Sequence, residues 1–157
     1  MSSFPATPDA TYPSAFYTTS NSFIVEGLGV IGNIDVFGDA ELHYIFHIPP
    51  SLPSGTAKLE VLVMGQPVVG ASVKFNPYWK SVPVEDTVDL ALGSLNAEGT
   101  QTVTFGPGDN NVFHRVKIAL DADTVVADEF VVLRLVMESA TWTLSYETIW
   151  LPAIIWE

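Results

Sequence analysis

Short alternating segments, each closed by proline or glycine, restrict this 157-residue chain to β structure. Leu42, Tyr44, Phe46 and Ile48 alternate with Glu41, His43, Ile45 and His47, and Pro49-Pro50 and Pro53-Ser54-Gly55 follow. Side chains on a strand alternate between its two faces, so this segment buries one face and leaves the other more polar. The same period recurs at Leu59, Val61 and Val63, closed by Gly65, and at Val73 and Phe75, where Pro77 predicts a stop. Thr100 to Phe105 leads into the turn signal Gly106-Pro107-Gly108-Asp109-Asn110. Beyond it come Val116, Ile118 and Leu120, then Val131, Leu133, Leu135 and Met137, and then Trp142, Leu144 and Tyr146. No stretch keeps a helical period over ten residues, and the best helical candidate, Asp86 to Leu92, is two turns at most.

Eight or nine such strands each have a face to bury, and a second sheet is the simplest cover. The expected fold is therefore all-β, an antiparallel β-sandwich of jelly-roll type. No fixed-period repeat points to a propeller or solenoid. Phe130-Val131-Val132-Leu133 is apolar on both faces. A sandwich covers only one of them, so the outer face is a candidate subunit contact.

Two segments flank this pattern. Residues 1–22 hold twelve Ser, Thr or Pro residues, too polar for a core of their own, yet Phe4, Tyr12, Phe16 and Tyr17 are interleaved among them. Solvated linkers are poor in aromatics. The segment reads as an extended N-terminal arm laying aromatic anchors on a neighbouring subunit, or as a loose terminus. Residues 23–157 form the sandwich domain. At its end, Trp150 and Trp156 bracket an apolar run from Ile149 whose burial contributes several kcal/mol at ~25 cal/mol per Å². This tail is expected to pair or pack on its own subunit or on a neighbour.

Charge narrows the function classes. Eighteen Asp and Glu face six Lys and Arg, a formal net charge of −12, and charged residues are only 15% of the chain. Six scattered cations make no nucleic-acid footprint. No segment reads as a secretory signal or reaches the ~18 apolar residues of a membrane span. With no cysteine, a disulfide scaffold and a thiol nucleophile are excluded. A surface this sparsely charged implies apolar contacts with other subunits, because interface cores are depleted in charge and rich in aromatics. The rival is a soluble monomer rich in Ser, Thr and Asn.

Catalytic motifs are absent: there is no G-x-S-x-G elbow, P-loop or H-E-x-x-H. His43 and His47 share a strand face but stand roughly 13 Å apart, too far for one metal. His43 with His114 on a paired strand would be half a zinc site without a third ligand. Asp121, Asp123 and Asp128 cluster in one loop, a weak calcium candidate, because calcium takes several oxygens. Their alternative is a turn in which Asp bonds local backbone. Tyr78 and Trp79 follow the presumed stop at Pro77 and are expected on a loop, either stacking on a sugar or anchoring an interface. No cofactor is expected.

The order of elements resembles that of small β-sandwich virion proteins of tailed bacteriophages. The features are Leu42-x-Tyr44-x-Phe46-x-Ile48-Pro49, Gly55, Leu59-x-Val61 and Gly70-x-Ser72-Val73-Lys74-Phe75, followed by Val84-Glu85-Asp86. His114-Arg115-Val116-Lys117-Ile118, Asp128 to Leu135 and an aromatic last strand complete them, with Ala127 where a glycine is expected before Asp128. The resemblance implies a non-enzymatic capsid decoration (cement) protein on the virion surface, made in the host cytoplasm. It would form a homotrimer and bind the major capsid protein or another virion protein. The alternative is a carbohydrate- or receptor-binding sandwich of a phage tail or adhesin.

Overall fold

The computed structural model describes residues 9–11, 15–18, 23–26, 29–32, 40–64, 72–85, 94–108, 112, 114–139 and 149–157. Two antiparallel sheets pack face to face. The first has the order β1 (Asp9–Thr11), β12 (Ile149–Trp156), β6 (Ala57–Met64), β10 (His114–Ala119). The second has the order β2 (Ala15–Thr18), β5 (Ala40–His47), β11 (Phe130–Ser139), β7 (Ser72–Val82), with β8 (Asn96–Ala97) and β9 (Gln101–Thr104) both on the outer edge of β7. A hairpin of β3 (Phe23–Glu26) and β4 (Gly29–Gly32) lies with β4 against β12.

Set aside β2, β3, β4 and β8, and eight strands remain. Lettered B to I in chain order (β1, β5, β6, β7, β9, β10, β11, β12), they lie as B-I-D-G in one sheet and C-H-E-F in the other. That interleaving is the double Greek key of a jelly roll. Every pairing is antiparallel.

The core follows the alternation. Tyr44, Phe46 and Ile48 of β5 and its exit, Leu59 and Val61 of β6, and Val116, Ile118 and Leu120 from β10 point inward. Val131, Leu133 and Leu135 of β11 and Ile154 and Trp156 of β12 close the layer with Phe75 and Trp79 of β7. On the outer side of β11, Val132 is also buried, while Phe130, Arg134 and Val136 are half-buried.

Pro77 does not stop its strand. β7 runs eleven residues through it, pairing with β11 from Val73 to Val82. Within an antiparallel strand a residue's N–H and C=O point to the same side. The Pro77 carbonyl accepts from the Glu98 N–H at 2.9 Å, so its ring nitrogen faces the outer edge. There the partner changes from β9, opposite residues 72–75, to β8, opposite residues 78 and 79. The missing donor falls in that gap and the ladder to β11 is intact.

Parts of the expected N-terminal arm are strands of this same chain. β1 pairs with β12, Ala10 opposite Ile155, and β2 pairs with β5, Phe16 opposite Tyr44 and Tyr17 opposite His43. Phe4 and Tyr12, the 86–92 helix candidate and the 141–147 strand with Trp142 lie outside the described residues.

Candidate functional site

The row His47–Phe130–Val82 across β5, β11 and β7 marks one end of the sandwich. Beyond it lie the connections 48–56 and 120–129 and the described ends of a third, 83–85 and 94–95. Backbone bonds tie the first two together. Ile48 N–H donates to the Glu129 carbonyl at 2.9 Å, and Asp128 N–H donates to the Pro49 carbonyl at 3.2 Å. Asp128 adopts φ +60°, a left-handed conformation that Asp tolerates better than most residues. The special backbone position is therefore Asp128 itself, not Ala127 before it.

Carboxylates complete the stitching. Glu98 Oε1 accepts the indole N–H of Trp79 at 2.8 Å and the backbone N–H groups of Asp121 at 2.5 Å and Ala122 at 2.6 Å. One oxygen thus joins the β8–β9 turn to the core and to the 120–129 connection. Asp123 accepts Ser81 N–H on Oδ2 at 3.2 Å and Thr124 N–H on Oδ1 at 2.8 Å. Ser81 Oγ–H donates to Glu129 Oε2 at 2.8 Å. Charge-assisted bonds of this kind are stronger than neutral ones, so the loops are held rather than free.

The C-terminus is clamped at the same end. Thr56 and Glu157 exchange backbone bonds at 2.8 and 3.2 Å. The Glu157 carboxylate takes Lys117 and, at 3.2 Å, Lys58. Those two ammonium groups hold its pKa below the ordinary carboxylate value. Gly55, at φ +116°, lies directly against this terminus: a Cβ there would meet the Glu157 carbonyl carbon at 2.7 Å.

These contacts frame a groove of about 290 Å³. Leu120, Val125 and Trp156 line it with Leu52 and Ala57, and Asp121 and Asp123 add two carboxylates. The described parts of the three connections carry exposed apolar side chains as well: Leu52 is 42% exposed, Val84 59% and Val126 38%.

Comparison with protein-family models, curated proteins and solved structures returns no match. The residues must therefore be read on their own geometry.

Trp79 is the main correction. It was expected on a loop beside Tyr78, but it is fully buried in the core, because β7 continues past Pro77 and turns residue 79 inward. Tyr78, one position earlier, faces outward and is half-buried. They occupy opposite faces of one strand and do not form an exposed aromatic pair. The calcium candidates diverge too. Asp123 holds backbone donors, Asp128 lies 3.3 Å from His47 Nε2, and Asp121 is exposed. Among the described residues no three His, Cys, Asp or Glu side chains converge as a metal group. His43 and His114 belong to different sheets, on β5 and β10, so the half-site they would form is not assembled. His43 is buried, and the His114 ring stands edge-on to Phe105 at 5.1 Å.

The terminal tryptophans belong to β12, where Trp150 pairs with Val63 and Trp156 with Ala57. Trp156 is in the core. Of the arm residues, Phe16 and Tyr17 are described as backbone of β2. Sequence reading missed Glu98, whose three bonds come from long-range partners, and the exposed Leu52, Val84 and Val126, which lie outside the alternating segments.

Proposed function

We propose that this chain is a non-enzymatic structural subunit of a virion, a capsid decoration (cement) protein that acts as a homotrimer and stabilises a phage head through subunit contacts. The observation that carries this reading is the loop end of the sandwich. Its acidic side chains Glu98, Asp123 and Glu129 are engaged in holding backbone and side-chain donors of the fold. Its tips turn Leu52, Val84 and Val126 to solvent. A rigid scaffold with apolar tips is suited to docking on a neighbour, since little ordering entropy is lost on contact. Jelly rolls recur in viral capsid domains and in lectins, so architecture alone does not choose between shell and sugar binding. The carbohydrate reading, however, leaned on an exposed Trp79, and that ring is enclosed.

Two measurements test the proposal. Sedimentation of the purified chain should give a species of three times 17.0 kDa. Particles assembled without it should burst at a lower temperature than complete ones. A monomer that leaves particle stability unchanged refutes the reading.

A further inference from the structure

All six Lys and Arg residues sit on the outer faces of the two sheets. Lys58, Arg115 and Lys117 flank the inward residues of β6 and β10, and Lys74, Lys80 and Arg134 flank those of β7 and β11. The three connections at the loop end carry none. Their described residues hold Glu85 in one, and Asp121, Asp123, Asp128 and Glu129 in another. The chain thus presents one strongly acidic end, and the groove opens there between exposed apolar tips.

We infer that this groove is a socket for an arginine or lysine side chain of a different protein. An Arg or Lys stem is apolar along most of its length and charged only at its head. The groove has both halves of that shape: Leu52, Leu120, Val125 and the edge of Trp156 for the stem, and Asp121 and Asp123 for the head. Its volume of about 290 Å³ is ample for one such side chain. Asp121 is exposed, and its carboxylate makes no hydrogen bond or ion pair with any described residue. The two oxygens of Asp123 each accept one backbone N–H and keep further lone pairs. Arginine suits the site better than lysine, because its planar fork meets carboxylates with paired bonds and is more weakly hydrated.

The occupant is a heterologous partner rather than a second copy. Lys58 and Lys117 are engaged by Glu157, and Arg115 by Glu60 at 3.2 Å. Lys74, Lys80 and Arg134 lie within long strands, not on a protruding loop that enters a groove. The inference rests on the proposed shell role only for the partner's being a virion protein; the socket itself stands on the groove and the charge map.

The test uses the full chain, isotopically labelled, and two probe peptides, acetyl-Ala-Leu-Arg-Leu-Ala-amide and its Glu counterpart. The Arg peptide should shift the amides of Gly55, Thr124 and Val125 and the Trp156 indole N–H, and the Glu peptide should not. Asp121→Asn should weaken binding about threefold to fivefold, the upper range for loss of one exposed ion pair. Leu52→Ser, at an exposed tip, is the second variant and should weaken it too. Raising salt from about 50 to 500 mM should also weaken it, since exposed pairs are screened. Shifts scattered over the other acidic loops, equal binding of the Glu peptide, or affinity indifferent to both variants would overturn the socket. If instead the free protein self-associates and Asp121→Asn abolishes that association, the occupant is a second copy and the partner assignment fails. None of these outcomes bears on particle stability, so the socket and the shell reading fail separately.

Discussion

Gly55 at the loop end, with Gly99 and Gly108 away from it as references, gives a graded test of how that end is built. Gly99 has open space around a would-be Cβ and an ordinary backbone. Gly108 has open space but φ +91°. Gly55 has φ +116° and the main chain of Glu157 at 2.7–2.9 Å, where ordinary contact begins near 3.4 Å. Alanine at Gly99 should fall within about ±0.5 kcal/mol of the parent, with a slight gain from a stiffer unfolded chain. At Gly108 the left-handed conformation should cost about 1–2 kcal/mol. At Gly55 the same strain applies, and the C-terminal residue must also move. Its two backbone bonds to Thr56 are then lost at about 0.5–1.5 kcal/mol each. The total is about 2–5 kcal/mol, which for a domain of this size lowers the melting temperature by on the order of 10 °C. Urea and thermal unfolding of the three alanine variants measure the series. A Gly55→Ala protein as stable as Gly99→Ala, or more stable than Gly108→Ala, would refute the clamp.

Other outcomes follow from single groups. The Tyr44 hydroxyl is wholly buried with no hydrogen-bond partner among the described residues, and burial raises its pKa; Tyr44→Phe should therefore stabilise the fold by about 1 kcal/mol in urea titrations. Glu98→Ala removes one acceptor from three donors and should cost about 2–4 kcal/mol, with the Trp79 indole N–H resonance shifted in the native state. The Glu157 pKa is depressed by Lys117 and Lys58, so its stabilisation is full above the unfolded carboxylate pKa and is lost as pH falls through the folded one. The urea midpoint should drop across that acidic window, and Lys117→Met should shrink the drop; an unchanged profile would remove the ion pairs from the account.

Where alternation was unbroken, the strands and their inward faces could be read directly. Tyr44, Phe46, Leu59, Val61, Ile118 and Leu133 are all core residues. Reading failed where a local signal had a non-local remedy. Pro77 looks like a terminator until the gap between β8 and β9 is seen to absorb its missing donor. Segments of three and four residues, such as Asp9–Thr11 and Ala15–Thr18, are too short to show a period, and only their partners β12 and β5 make them strands. The acidic loop was visible as composition, but its use was not. Asp123 bonds Ser81 across forty-two positions, and Glu98 reaches Trp79 and Asp121 from a turn with no pattern of its own.

The central claim, that this jelly roll works by docking its loop end within a shell, is tested most directly by electron cryomicroscopy of virions assembled with the chain. The account predicts sandwich density on the outer surface of the head, grouped in threes, with Leu52, Val84 and Val126 against the underlying capsid protein. Particles without such density, or with the loop end facing open solvent, would contradict it.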